Sequence, residues 1–537
     1  MTFGPRFLVS LWVGVRVARW ARKLRAPGRG PAAQQTAFTG LMTQLVGTEF
    51  GRAHGLTAAT TYAQYRERVP PRTYGYFAPL IARMAAGAEG VLSPGRCPFF
   101  AESAGTTELA PKLLPVPEPM LAQFRRGMRD ALFLIAARAG HGGVFLGRQL
   151  HAGASTALTE TNGAYRTALD GIFALCLTPW VEANLYAPPA AVAQLPAGPE
   201  KCAAIARTML RQDVTLIGGV PATLCAVAQA AREAAGCSPR PGYLTEVWPN
   251  LACAVVTGAP PGLHDETLRS ALGPTVRWHE LYAAAEGVFA AQDDGRPPGL
   301  RLLTDTGVFF EFLPWTQFQE ARLAQAGTEC LPLEKISAGI DYVLVVTTPA
   351  GLCRYVPGDI VRFLSVDPPR LQFVGRTAGQ LNGWAEQVTE RDLVETLQAV
   401  CTRNGWQPVN FHVAPFSDRI AAGQMINGHE WWMELRTHTT KTPTANVIGP
   451  ELDAELAQRN RSYAAQRITH RLEEARVRLV APGVFAQWAQ AQRLSDHASK
   501  MLRCRSDRLI ADQLAALTHF YDARAAPLPP ANPRAPS

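Results

Sequence analysis

Charge is scarce in this 537-residue chain: Asp, Glu, Lys and Arg make up 18% of it, against about 25% in an average soluble domain. A long Lys/Arg run is also missing. The 53 basic residues outnumber 44 acidic ones, giving a net charge of +9, but the excess is scattered. No nucleic-acid partner is therefore expected; such a balance suits the handling of anionic small molecules. None of the ten cysteines forms a CxxC pair or a Cys/His cluster of zinc spacing, which argues against a zinc site and a disulfide framework. Most lie beside Ala, Leu or Val, as Cys225 lies between Leu224 and Ala226. They read as small core residues of a protein in a reducing, cytoplasmic setting. No apolar run reaches the roughly 20 residues of a spanning helix. The nearest, Phe7 to Val15, is followed by Arg16, Arg19, Arg22, Lys23 and Arg25, whereas a secretory signal carries its charges ahead of the apolar stretch. Residues 3–25 read as an amphipathic helix, either docked on the protein or in peripheral contact with a lipid surface. The chain is read as soluble.

What is present is a large apolar fraction, 47%, enough for a sizeable core and more than one domain. Residues 34–70 have helical spacing, and Glu118 to Ala139 reads as a long amphipathic helix behind Pro117. Residues 198–236 carry two more helices. Beyond residue 245 come short apolar strands bounded by Gly or Pro, at Ala252 to Val256, Val308 to Leu313 and Tyr342 to Thr348. This mixture predicts an α/β fold. Past residue 385 the pattern turns mainly helical, with a long helix expected from about Leu452 to Leu479. The expected domains are 1–384, 385–524 and a disordered Pro/Ala-rich tail, 525–537.

Five stretches carry chemistry. Glu102-Ser103-Ala104-Gly105-Thr106-Thr107, with Lys112 behind it, offers backbone N–H groups and hydroxyls to phosphate oxygens. It equally describes a Ser/Thr-rich surface turn, and it is not a Walker loop. Tyr282-Ala283-Ala284-Ala285-Glu286-Gly287 sets an aromatic able to stack on a purine four residues before a carboxylate able to hold Mg²⁺; the bland alternative is a helix start with an incidental tyrosine. Arg354-Tyr355-Val356-Pro357-Gly358-Asp359 presents an Asp at a strand edge, suited to both ribose hydroxyls or to nothing beyond an ordinary turn. Phe373-Val374-Gly375-Arg376 and Lys500 to Arg503 complete the set.

In this order the stretches resemble the adenylate-forming superfamily, and specifically the auxin-responsive promoter family of acyl-acid amido synthetases, from about Thr36 to Leu514. Thr48 to Arg52, Val308 to Pro314, Tyr342 to Thr348 and Lys500 to Arg503 with Ser506 to Arg508 carry the resemblance. It implies the adenylate-forming fold: a large N-terminal domain and a smaller, mobile α+β C-terminal domain. It further implies ATP and Mg as cofactors, and a carboxylic acid and an amino acid as substrates. Under it Ser103, Ala104, Thr106 and Thr107 form the phosphate loop, Tyr282 stacks on adenine, Glu286 holds Mg, Asp359 holds the ribose, and Ala285 and Arg376 are further nucleotide contacts. Lys500 reaches the α-phosphate, and Lys500, Glu286 and Thr106 are the catalytic residues. Arg126, among Arg125, Arg126 and Arg129, is the candidate for the acyl carboxylate. Departures stand at Ala104 and Ala285, which lack the family's usual hydroxyls, at Ala385-Glu386-Gln387 in place of Gly-Glu-Lys, and at Leu502 in place of proline. A different acceptor (coenzyme A, a hydroxyl or a carrier protein) and a non-catalytic binding role stay open.

Overall fold

A computed structural model describes residues 6–24, 28–103, 112–139, 142–237, 242–257, 264–293, 298–419, 425–436, 443–492 and 501–524. The chain forms two compact units, Met1–Thr377 and Ala378–Ser537.

The first unit opens with helices α1 (Arg6–Leu24) and α2 (Arg29–Leu45). Residues 34–70, read as helical, hold the rest of α2 and two short helices started by Thr48 and Thr61, whose side chains cap the first turns. Strands β1 (Phe99–Ser103) and β2 (Lys112–Val116) are antiparallel, with Ser103 opposite Lys112. Helix α3 occupies Glu118–Ala139, as its periodicity predicts.

The main sheet has twelve strands. Ten are β3 (Arg148–Ala152), β4 (Val214–Gly219), β5 (Cys253–Thr257), β6 (Arg277–Ala284), β7 (Gly287–Gln292), β8 (Leu300–Leu302), β9 (Phe309–Pro314), β10 (Asp341–Thr347), β11 (Asp359–Val366) and β12 (Pro369–Arg376). Two-residue strands at Leu331–Pro332 and Tyr186–Ala187 form the edges, beside β9 and β3. Strands β3 to β6 run parallel, because helices Pro199–Met209, Pro221–Ala234 and Asp265–Leu272 provide the crossovers. From β6 onward every pair is antiparallel, in the order β6-β7-β8-β12-β11-β10-β9. Strand β6 is thus the pivot, and in open α/β sheets ligands favour the carboxyl ends of strands at such changes of order.

Helix α3 lies against β7. Gln123 pairs with both backbone groups of Val288, at 3.1 and 3.3 Å. A Cβ on Gly127 would fall 2.5 Å from that of Val288, so only glycine permits this approach. Phe38, Phe77, Phe100, Phe124, Phe289 and Phe310 fill the core between helices and sheet, each contributing about 1.5–3 kcal/mol on burial.

The second unit departs from the expected helical texture. Helix α4 (Glu390–Asn404) is followed by a three-stranded sheet of β13 (Pro408–Arg419), β14 (Met425–Leu435) and β15 (Arg476–Leu479). The continuous helix expected over Leu452 to Leu479 is instead the end of α5 (Ala445–Arg459), then α6 (Arg461–Ile468), then β15. Asn460 adopts an extended backbone (φ −119°) and accepts a hydrogen bond from the Tyr463 amide at 2.8 Å, ending one helix and capping the next. The tail 525–537 lies outside the described residues.

Candidate active site

The β6–β7 hairpin turns on only two residues, Ala285 and Glu286, since Ala284 pairs with Gly287. This places Glu286 just past the carboxyl end of the pivot strand. Tyr282, four residues earlier, is 7% exposed and packed edge-on by Phe289 and Phe373. Its hydroxyl donates to Asp359 Oδ2 at 2.6 Å. Asp359 opens β11 opposite Arg376, whose Nε lies 3.5 Å from Asp359 Oδ1. Segments about 75 residues apart in sequence therefore converge on one carboxylate.

The loop delivering Asp359 is held from beneath by Arg354. This arginine has a left-handed backbone (φ 50°), a conformation costly for a side-chain-bearing residue. Its fully buried guanidinium grips both oxygens of Glu311 at 2.9 Å each. It also donates to the carbonyls of Val69 at 2.9 Å and Gly327 at 2.7 Å. Tyr62 donates to the same Glu311 carboxylate at 2.9 Å. Such a pair is costly to break, because removing one partner leaves a buried uncompensated charge. Next in sequence, Tyr355 exchanges backbone hydrogen bonds with Val346 of β10. Its hydroxyl reaches back to Glu286 Oε1 at 3.3 Å.

Glu286 is thus enclosed by aromatic side chains and a second carboxylate. Burial, reinforced by repulsion from Asp359, raises its pKa above the ordinary carboxylate value, with Lys112 pulling the other way. Burial likewise lifts the Tyr282 and Tyr355 phenols far above their usual range, and the neighbouring carboxylates add to it. A buried Glu286 beside a second carboxyl group favours a cation close to it. The donor set therefore fits a divalent ion, although no cluster of three or more His, Cys, Asp or Glu occurs among the described residues. Lys112 sits at the start of β2 with its ammonium 5.4 Å from the Tyr74 ring centre.

Tyr282, Ala285, Glu286, Asp359 and Arg376 are accordingly brought together in the first unit, and Ser103 ends the strand paired with Lys112. Ala104, Thr106, Thr107 and Lys500 lie outside the described residues. Arg126 is exposed on α3, whereas Arg125 pairs with Glu118 at 2.7 Å and Arg129 with Asp130 at 3.1 Å. Directly after Lys500, the segment Met501 to Cys504 is buried on β13. The Val413 amide donates to the Arg503 carbonyl at 2.8 Å, and the Arg503 guanidinium bonds Asn410 and lies 5.3 Å from the Phe411 ring centre. Arg503 is a structural cation. Glu386 is also buried. It accepts the Trp384 amide at 2.7 Å and contacts His429 Nε2 at 3.2 Å. Burial works to raise its carboxyl, but the His429 contact prevails and holds it below the ordinary range.

Tyr355, Glu311 and the buried role of Arg354 are what sequence reasoning did not assign. The signal for Tyr355 is its place four residues before Asp359. An acid in the apolar run Phe309 to Leu313 is the signal for Glu311, since a buried acid calls for a buried base.

This architecture is that of solved acyl-activating enzymes. A GH3.15 acyl acid amido synthetase in complex with 2,4-DB superimposes with a TM-score of 0.70 at 16% identity, covering 94% of this chain and 96% of that one. A 2-hydroxyisobutyryl-CoA ligase superimposes with a TM-score of 0.58 at 14% identity, covering 92% and 94%. Models of the GH3 family match its N-terminal domain at residues 28–174, its central domain at 301–376 and its C-terminal domain at 391–508. The chain belongs to the GH3 family, the auxin-responsive promoter family. A probable indole-3-acetic acid-amido synthetase GH3.9 of Oryza sativa subsp. japonica is 27% identical over 46% of this chain and 57% of its own length. The chain spans about half the length of the curated relatives it first matches.

Proposed function

We propose that the chain is an ATP-dependent acyl-acid amido synthetase. A carboxylate oxygen of the acid attacks the α-phosphorus of ATP; the bond to the bridging oxygen breaks and pyrophosphate leaves. The amine nitrogen of an amino acid then attacks the acyl carbon, a C–N bond forms, AMP departs and the nitrogen sheds a proton. The convergence of Tyr282, Glu286, Asp359 and Arg376 at the end of β6 carries this reading. Asp359 accepts the ribose hydroxyls, oriented by the Tyr282 hydroxyl and by Arg376, and Tyr282 flanks the base. Glu286 holds magnesium, which supplies charge neutralisation to the phosphates. Ser103, the backbone of Ala104, Thr106 and Thr107 close on the phosphates, and Ala285 leaves the turn open to them. Lys500 supplies a cation at the α-phosphate, where charge accumulates as the anhydride forms. Arg126 receives the acyl carboxylate. The second unit moves between the half-reactions, and the protein works in the cytoplasm.

The test is a screen of carboxylic acids by pyrophosphate release, repeated with amino acids or coenzyme A, with products identified by mass. Release that depends on an acid, with an amide product, is the expected result. A thioester product would reassign the acceptor, and release from no acid would leave a nucleotide-binding protein.

A further inference from the structure

We propose that the N-terminal helix α1 docks the protein on an anionic lipid surface, a property independent of the chemistry proposed above. The 19-residue helix has two unlike faces. One is committed to the protein: Val17 is 2% exposed, and Trp20 donates to Asp130 of α3 at 2.8 Å. On the opposite face Leu11, Trp12 and Val15 are 56%, 60% and 54% exposed. Arg19 and Arg22, spaced four and three residues beyond Val15 and Arg19, continue that same face and are exposed, as is Arg16, whose guanidinium lies 5.0 Å from the Trp12 ring centre. An apolar end thus adjoins a basic end along one side of the helix.

Charge complementarity selects the occupant. No Asp or Glu occurs before Glu49, while Arg6, Arg16, Arg19, Arg22, Lys23, Arg25 and Arg29 all do. A bilayer containing acidic headgroups takes both halves of the face: Leu11, Trp12 and Val15 enter the acyl boundary and the arginines meet the headgroups. A nucleic-acid backbone would use the arginines and leave the apolar side chains in water. Among the described residues no helix is long and apolar enough to cross a membrane, so the contact is peripheral.

The full-length protein is sedimented with vesicles of phosphatidylcholine alone or with added phosphatidylglycerol, at low and high salt. Binding is expected only with phosphatidylglycerol and is expected to weaken with salt. The double variant Arg19→Gln/Arg22→Gln is expected to bind about 25-fold more weakly, at about fivefold per arginine. Leu11→Ser/Trp12→Ser is expected to lower binding at low and high salt alike. All four positions are exposed and apart from the candidate active site, so circular dichroism and nucleotide binding stay unchanged. Absence of wild-type binding to acidic vesicles overturns the proposal, as does equal binding by the arginine variant. Self-association of the wild type that Leu11→Ser/Trp12→Ser abolishes would assign the face to a second copy instead.

Discussion

Glu286 is a residue whose local cost has a use. A carboxyl whose folded pKa is raised contributes stability below the ordinary carboxyl value of 4.5 and loses it as pH rises through the raised value. Glu286→Gln never ionises, so without nucleotide the variant is expected to melt higher than wild type, by a margin that grows from about pH 4 toward neutrality. Magnesium-ATP is expected to raise the wild-type Tm and leave the variant's nearly unmoved. Thermal melts across pH, with and without magnesium-ATP, check both signs. At one departure from the family pattern, Ala385 has a left-handed backbone (φ 65°), so the family's glycine there has a conformational reason. Ala385→Gly relieves a strain of about 1–2 kcal/mol, less glycine's entropic cost. A net gain of about 1 kcal/mol in urea denaturation is expected, and a loss of stability would show the backbone to be unstrained. Tyr282, Glu286 and Asp359 were legible as candidates through the family resemblance, since each motif alone reads equally well as an ordinary turn or element end. Tyr355 and the Arg354–Glu311 pair were not, because their roles exist only once β9, β10 and the Val69 carbonyl surround them.

Elements with a clear period were legible, and those built by capping were not. Glu118–Ala139 repeats its apolar positions over 22 residues with Pro117 ahead of it. Between Leu452 and Leu479 the helical spacing continues through Asn460, where a single side-chain cap divides it, and the strand character of Arg476–Leu479 rests on only four residues. The three-stranded sheet of the second unit was hidden similarly, since its strand β14 buries Trp431, Trp432 and Met433 in succession instead of alternating. The contact of α3 with the β6–β7 hairpin yields a sharper expectation. Gly127→Ala drives a methyl into Val288 and is expected to cost about 1–3 kcal/mol. Because β7 carries the turn holding Glu286, magnesium-ATP affinity is expected to fall with it. Unfolding and nucleotide titration check the pair; an unchanged affinity in a destabilised variant would uncouple helix from site.

At the scale of the whole molecule, the half-parallel, half-antiparallel sheet does most to explain the site. Crossover helices fix β3 to β6, antiparallel pairing fixes β7 to β12, and Tyr282, Glu286, Asp359 and Arg376 gather where the two regimes meet. This could be read from sequence only through resemblance, because strand order is set by pairings distant along the chain. The most direct measurement is ATP–pyrophosphate exchange with a carboxylic acid present, in wild type, Glu286→Gln and Lys500→Ala. Exchange by wild type that requires the acid, with a tenfold or greater loss in each variant, is the predicted result. Undiminished exchange in both variants would contradict the assignment, and so would a wild-type protein with no affinity for magnesium-ATP.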